Sequence, residues 1–83
     1  MAEFLKDSDE YKMFVDYYNL TKKWYEGVRT IKEYDEFASD LMNFNNKYKD
    51  VKCALLTKKL ALALNSYIDE LYYAFKETLM NKG

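Results

Sequence analysis

Residues 51–80, VKCALLTKKLALALNSYIDELYYAFKETLM, decide the fold of this chain. The stretch contains neither glycine nor proline, and a mostly apolar seam recurs along it in steps of three and four residues, as on one face of a helix: Cys53, Thr57, Leu60, Leu64, Tyr67, Leu71, Ala74 and Thr78. One uninterrupted helix here would be about 30 residues and about 45 Å long. The alternative is a break at Asn65-Ser66, because Ser66 and Asp69 resemble a helix cap with an acid three residues on. Since no glycine or proline supports a break, we expect a continuous helix.

Two shorter helices precede this stretch. Asp7-Ser8-Asp9-Glu10 supplies capping oxygens for a helix over about 8–26, and Gly27 is a natural end because glycine adopts a left-handed conformation without a Cβ clash. The apolar side chains of this helix fall on two adjoining stripes: Tyr11, Phe14, Val15, Tyr18 and Tyr25 on one, and Met13, Tyr17, Leu20, Trp24 and Val28 on the other. Thr30 and Glu33 form a capping box that opens a helix over 31–47.

The predicted fold is therefore all-α. We expect a small antiparallel three-helix bundle with a long C-terminal helix over about 51–80, or four helices if that helix breaks near Asn65-Ser66. The chain of 83 residues is expected to form a single helical domain over 1–83, with no linker and no internal repeat.

Composition argues against catalysis. The chain has no histidine, so acid–base catalysis at neutral pH would require another group with a strongly shifted pKa. Cys53 is the single cysteine and is interpreted as a small apolar residue of the helix seam rather than a nucleophile. Glu33, Glu36 and Asp40 share a helix face and are interpreted as solvated side chains, because a cation site needs oxygens from several segments. We expect no enzymatic activity, no metal and no cofactor.

Charge and hydropathy favour a cytoplasmic protein without a membrane partner. Thirteen basic and fourteen acidic residues give a net charge of −1, so no global charge attracts nucleic acid or anionic lipid. Residues 1–7 lack the pattern of a signal peptide, and the most apolar window, 53–64, is interrupted by Lys58 and Lys59 and is too short to span a bilayer.

A lysine-rich segment supports an alternative function, that of a nucleic-acid-binding accessory protein. Its residues are Lys47, Lys49, Lys52, Lys58 and Lys59, with Tyr48 available to stack on a base. The first two helices are acidic and would oppose a polyanion, so nucleic acid is not the expected partner and a solvated connector is the simpler interpretation.

The aromatic content points instead to a surface that binds protein. Nine tyrosines, five phenylalanines and one tryptophan exceed what the core of a three-helix bundle needs. Several occur as adjacent pairs, and because successive helical residues point about 100° apart, one member of each pair must face away from the core. Tyrosine and tryptophan are enriched in interfaces, so we take as candidate protein-binding residues Tyr17, Trp24, Tyr25, Tyr72 and Tyr73. The alternative is a tyrosine-rich monomer whose pairs straddle the edge of its core.

These observations favour a non-enzymatic helical module that binds another protein. Size and a lysine-rich, proline-free composition suit a small regulator or inhibitor encoded by a bacterial or phage genome, and the long third helix suits a homodimer. In length and helix count the chain is similar to small antiparallel bundles such as the bacteriocin immunity proteins, a resemblance that implies a bundle acting through a protein partner.

Overall fold

The structure of the chain is a computed structural model, which describes residue 5 and residues 7–81; for 77–81 it describes the helix but not the side chains. Three helices make up this part of the chain: α1 (Asp9–Trp24), α2 (Ile31–Lys47) and α3 (Ala54–Asn81). They pack side by side as a small bundle without strands among the described residues, which confirms the predicted all-α class and helix number.

The ends of α1 and α2 follow the capping residues. Ser8 is the N-cap of α1, and its hydroxyl accepts a hydrogen bond from the Tyr11 amide at 3.2 Å. Thr30 is the N-cap of α2 and accepts from the Glu33 amide at 3.0 Å, while the Glu33 carboxylate accepts from the Arg29 amide at 2.8 Å. These bonds satisfy amides that the first helical turn leaves without partners.

Gly27 reverses the chain after α1. Its amide donates to the Trp24 carbonyl at 2.8 Å, and its φ of 91° lies in the region that favours glycine. A Cβ at this position would lie 3.1 Å from Leu71 Cδ1 and 3.3 Å from Leu71 Cβ, so a larger residue would have to displace the Leu71 side chain of α3. The reversal therefore depends on glycine for both its backbone angle and its packing.

Helix α3 is continuous through Asn65-Ser66, as expected. Leu64 and Ile68 are both buried on its inner face, while Ser66 lies exposed on the opposite side, so the apolar seam passes this point without interruption. The helix has 28 residues against 16 in α1 and 17 in α2. Because Ile31, the first residue of α2, shares a pocket with Tyr73, the last two turns of α3 extend beyond the start of α2.

The core consists of two clusters along the α3 seam. The cluster near the α2–α3 connection contains Met13, Phe44, Tyr48, Cys53 and Ala61. The cluster near the α1–α2 connection contains Trp24, Val28, Phe37, Leu64 and Ile68. Tyr17, Leu20 and Leu41 pack against both and join them. Thr57 of the predicted seam is also buried, whereas the side chain of Thr78 lies outside the described residues.

Of the two apolar stripes on α1, the bundle buries the one that contains Met13 and Trp24. The other stripe stays on the outside, where Tyr11, Val15 and Tyr18 are exposed. Among the described residues, no helix combines the length and the apolar character needed to cross a membrane.

Candidate protein-binding surfaces

The adjacent aromatic pairs divide between core and surface, as the 100° rotation requires. Tyr17 is half-buried beside an exposed Tyr18, and Tyr72 is half-buried beside an exposed Tyr73. Trp24 is 7 % exposed, whereas its neighbour Tyr25 is 63 % exposed. Each pair therefore contributes one ring to the bundle and presents the other to solvent.

Two of the candidate protein-binding residues pack inward: Trp24 lies in the core, and Tyr17 is half-buried against it. Trp24 packs edge-on against Phe37, with ring centroids 5.7 Å apart, and its indole nitrogen donates to Asp40 at 2.9 Å. Tyr17 packs against Phe44 at 5.7 Å, and burial raises the pKa of its phenol. Both face inward because α2 supplies their aromatic neighbours and, for Trp24, a hydrogen-bond acceptor.

Three outward-facing tyrosines form a line along α1 that we call the α1 tyrosine stripe: Tyr11, Tyr18 and Tyr25. The three rings are seven residues apart, so they lie on one side of the helix. Tyr18 is 65 % exposed and Tyr11 is 38 % exposed. Tyr25, one residue past α1, stacks on Tyr67 at 6.0 Å, and the Tyr67 hydroxyl donates to the Tyr25 carbonyl at 2.7 Å. Sequence reasoning selected Tyr25 and missed Tyr11 and Tyr18, although the seven-residue spacing was a signal that could have found them.

A second set of apolar side chains, which we call the α2/α3 face, belongs to α2 and α3 and is between 54 % and 73 % exposed: Ile31, Met42, Leu55, Leu62 and Tyr73. On α3, Leu55, Leu62 and Tyr73 follow at steps of seven and eleven residues, which keeps them on one side of the helix. At one end of the face, a pocket of ≈ 220 Å³ lies between the two helices and is lined by Ile31, Tyr34, Tyr72 and Tyr73. Of the candidate residues, Tyr72 and Tyr73 therefore belong to this face and not to the α1 tyrosine stripe.

The Tyr34 hydroxyl at the floor of that pocket donates a hydrogen bond to Asp69. This bond and the burial of the ring raise the pKa of Tyr34 to about 12. Since the protonated phenol is the form that donates, the bond holds α2 to α3 throughout the neutral range.

The lysine-rich segment does not form one surface. Lys47 donates to Asp16 at 2.7 Å, and Tyr48 is buried with its hydroxyl bound to the same carboxylate, so Tyr48 is not placed to stack on a base. Lys49 and Lys58 share a shallow groove with Asn45, Asn46, Ala54 and Leu55. Lys52 lies instead at a pocket shared with the acidic Glu10, and Lys59 is exposed elsewhere on α3. The turn over 48–53 separates these side chains.

Two reciprocal contacts join α1 and α2. Asp40 of α2 accepts from Lys23 at 2.8 Å and from the Trp24 indole, both at the end of α1. Asp16 of α1 accepts from Lys47 and Tyr48 at the end of α2. In each case the lysine also lies over the neighbouring ring, at 5.3 Å for Trp24 and 5.5 Å for Tyr48. Each of the two helices thus contributes one aspartate that binds side chains at the C-terminal end of the other helix.

These contacts are made by two short segments that resemble each other in sequence. Residues 16–24, DYYNLTKKW, and residues 40–48, DLMNFNNKY, share an aspartate, an asparagine, an apolar residue, a lysine and an aromatic residue at equal spacing. A groove of ≈ 320 Å³ between α1 and α2 is lined by the equivalent residues of both segments: Asp16, Asn19, Leu20, Lys23, Asp40, Asn43, Phe44 and Lys47. The likeness is difficult to detect in the sequence because only three of the nine positions are identical.

The reciprocal contacts keep both aspartates ionised. Burial opposes ionisation of Asp16, but the hydrogen bonds from Lys47 and Tyr48 outweigh it and lower the pKa of the carboxyl. The hydrogen bond from Lys23, supported by that from Trp24, likewise lowers the pKa of Asp40 against the effect of burial. Burial and the bond to Asp16 raise the pKa of Tyr48.

The described residues contain no group of three or more side chains suited to hold a metal ion, and Asp40 of the acidic helix face is engaged by α1. Cys53 is buried as a free thiol beside Thr57, whose hydroxyl donates to the Cys53 carbonyl at 2.9 Å. The chain matches no protein-family model, and comparison with curated proteins and with solved structures gives no significant match.

Proposed function

We propose that this chain is a non-enzymatic helical module that acts by binding another protein, and that the α1 tyrosine stripe is its binding surface. The observation that carries the proposal is the seven-residue spacing of three outward-facing tyrosines, two of them more than 60 % exposed. Tyrosine combines a large apolar ring with a hydroxyl that tolerates water, so it is stable on a free surface and contributes strongly to an interface once covered.

The geometry of the stripe favours a helical partner. From Tyr11 to Tyr25 is fourteen residues, or about 21 Å along the axis of α1. A seven-residue repeat of apolar side chains packs well against another helix that lies nearly parallel to it, because such a helix places its own side chains between the rings at the same period. The proposed partner is therefore a protein that presents an exposed amphipathic helix.

The proposed role as a small cytoplasmic regulator or inhibitor rests on the size and composition of the chain. A compact chain of 83 residues without histidine has few means of catalysis but is large enough to present one binding surface. We accordingly propose a small regulator or inhibitor that acts in the cytoplasm, where its buried thiol stays reduced.

Capture of the partner tests this function. The tagged chain and its Tyr18→Ala/Tyr25→Ala variant would be used to isolate proteins from the source cell, and each captured protein would be identified, purified and titrated against both. Loss of two hot-spot rings should weaken the complex by about 30-fold or more.

Tyr73→Ala is the matched control, because Tyr73 is exposed to a similar degree but lies on the α2/α3 face. We expect it to leave the affinity for the partner within a factor of about three. A partner that binds wild type and the α1 double variant equally, with both showing the same helical circular dichroism, would contradict the proposed surface.

A further inference from the structure

The two ends of the α2/α3 face differ in shape: one has an open pocket and the other an exposed leucine. At one end the pocket of Ile31, Tyr34, Tyr72 and Tyr73 is open to solvent. At the other end Leu55 is 68 % exposed on the same side of α3. The two ends are separated by eighteen residues of α3, or about 27 Å. Leu62 and Met42 occupy the middle of the face.

Charge is also distributed unevenly between these ends. Lys49 and Lys58 lie beside Leu55, where they line a common groove. Near the pocket, Asp69 holds the Tyr34 hydroxyl and Asp35 is exposed on the next turn of α2, with Lys76 lying over the Tyr72 ring. The Leu55 end is thus mainly basic, since Lys52 and Glu10 also line a pocket with Leu55. The pocket end has mixed charge, because the exposed Lys32 follows Ile31 and the Arg29 guanidinium lies over the Phe75 ring.

We propose that a second copy of this chain covers the α2/α3 face in an antiparallel, two-fold symmetric arrangement, in which Leu55 of each copy fills the aromatic pocket of the other. A two-fold axis perpendicular to α3 and midway between Leu55 and Tyr73, at the level of residue 64 and close to Leu62, superposes the Leu55 end of one copy on the pocket end of the other. The same operation places Lys49 and Lys58 opposite the Asp35 and Asp69 of the second copy. A parallel arrangement would instead bring the lysines of both copies together.

The exposed apolar area of the α2/α3 face supplies most of the area that a dimer interface needs. A side chain of this size exposes roughly 200 Å² when fully accessible, so the five residues together present on the order of 600 Å². A stable interface takes about 800 Å² from each partner, and the flanking charged residues supply the remainder. The net charge of −1 opposes self-association only weakly. This surface is distinct from the α1 tyrosine stripe, so either proposal can fail without the other.

Sedimentation equilibrium at micromolar to submillimolar concentration tests the association. Wild type should approach twice the chain mass of 10.0 kDa. Leu62→Glu and, separately, Met42→Glu place a charge near the axis and should raise the dimer dissociation constant by about 30-fold or more. Tyr18→Glu, on the α1 tyrosine stripe, is the matched control and should leave the dimer dissociation constant unchanged. Circular dichroism establishes that each variant remains helical.

Disulfide trapping tests the antiparallel register. In a Cys53→Ala background, Leu55→Cys mixed with Tyr73→Cys should give a covalent dimer under mild oxidation, whereas Leu55→Cys alone should not, because its two copies lie far apart. A wild-type species of single-chain mass at every concentration would overturn the proposal, whether or not the face binds a different protein. A dimer that resists both central substitutions, or one that Leu55→Cys alone cross-links, would overturn it as well.

Discussion

Asp16 and Asp40 are the residues on which the α1–α2 contact depends most. Each accepts from one lysine and one aromatic side chain of the opposite helix, and each is only about one-third exposed. The pKa of each carboxyl is lower in the folded chain than its ordinary value of 3.8. A group whose pKa is lowered by folding stabilises the fold above its unfolded pKa, and this contribution is lost as the pH falls through the folded value.

We therefore predict that the free energy of unfolding decreases as the pH falls below about 4, and that Asp16→Asn/Asp40→Asn removes part of this dependence. At pH 7 the double variant should be less stable by about 1–2 kcal/mol, since each pair is partly exposed to solvent. Urea unfolding at pH 7 and pH 3 measures both quantities. Asp50→Asn, at an exposed position, is the control, and a double variant equal to wild type at pH 7 would refute the role of these contacts.

Gly27 is predicted to be intolerant of substitution for two separable reasons. Gly27→Ala forces a side chain into a φ of 91° and brings its Cβ against Leu71, so we expect a loss of about 1–3 kcal/mol in unfolding free energy. Thermal or urea unfolding measures it. In a Leu71→Ala background the contact with Leu71 Cδ1 is removed while the 3.3 Å contact with its Cβ remains, so the steric part should shrink and the backbone part should persist. An unchanged stability of Gly27→Ala would show that the reversal does not need glycine.

At the residue scale the sequence could predict that aromatic pairs split between core and surface, but not which stripe of α1 is buried. Both stripes are apolar, so periodicity alone does not distinguish them. The choice follows from contacts with α2: Phe37 and Asp40 accommodate Trp24, and Phe44 accommodates Tyr17. Such contacts depend on how two helices pack, which local sequence signals do not specify.

At the scale of the elements, the sequence could predict three helices and the residues that cap the first two. Ser8, Thr30 and Gly27 act locally, through hydrogen bonds and backbone angles within a few residues, so their signals are readable in the chain itself. The predicted start of α3, near residue 51, lies three residues before the first helical residue, Ala54, because the chain turns over 48–53.

A continuous α3 and an α3 that breaks at Ser66 predict opposite effects of the same substitution on the free energy of unfolding. Ser66 is exposed inside the helix, so Ser66→Ala should stabilise the chain by about 0.5 kcal/mol through helix propensity. If Ser66 capped a separate fourth helix, the same change would instead cost about 1 kcal/mol. Urea unfolding of the variant beside wild type decides between them.

At the scale of the whole molecule, the bundle leaves two apolar surfaces outside its core. The α1 tyrosine stripe and the α2/α3 face lie on different helices, and each contains large side chains more than half exposed. A monomer rarely exposes a contiguous apolar patch of several hundred Å² without using it. We propose that a protein partner covers the first surface and that a copy of the chain itself covers the second.

Hydroxyl-radical footprinting of the tyrosines tests this central claim most directly. The modification rates of Tyr18, Tyr25 and Tyr73 would be measured for the chain at constant concentration, with and without the captured partner. We expect Tyr18 and Tyr25 to become protected when the partner is added, while the rate at Tyr73 stays the same. Unchanged rates at Tyr18 and Tyr25 in the saturated complex would contradict it.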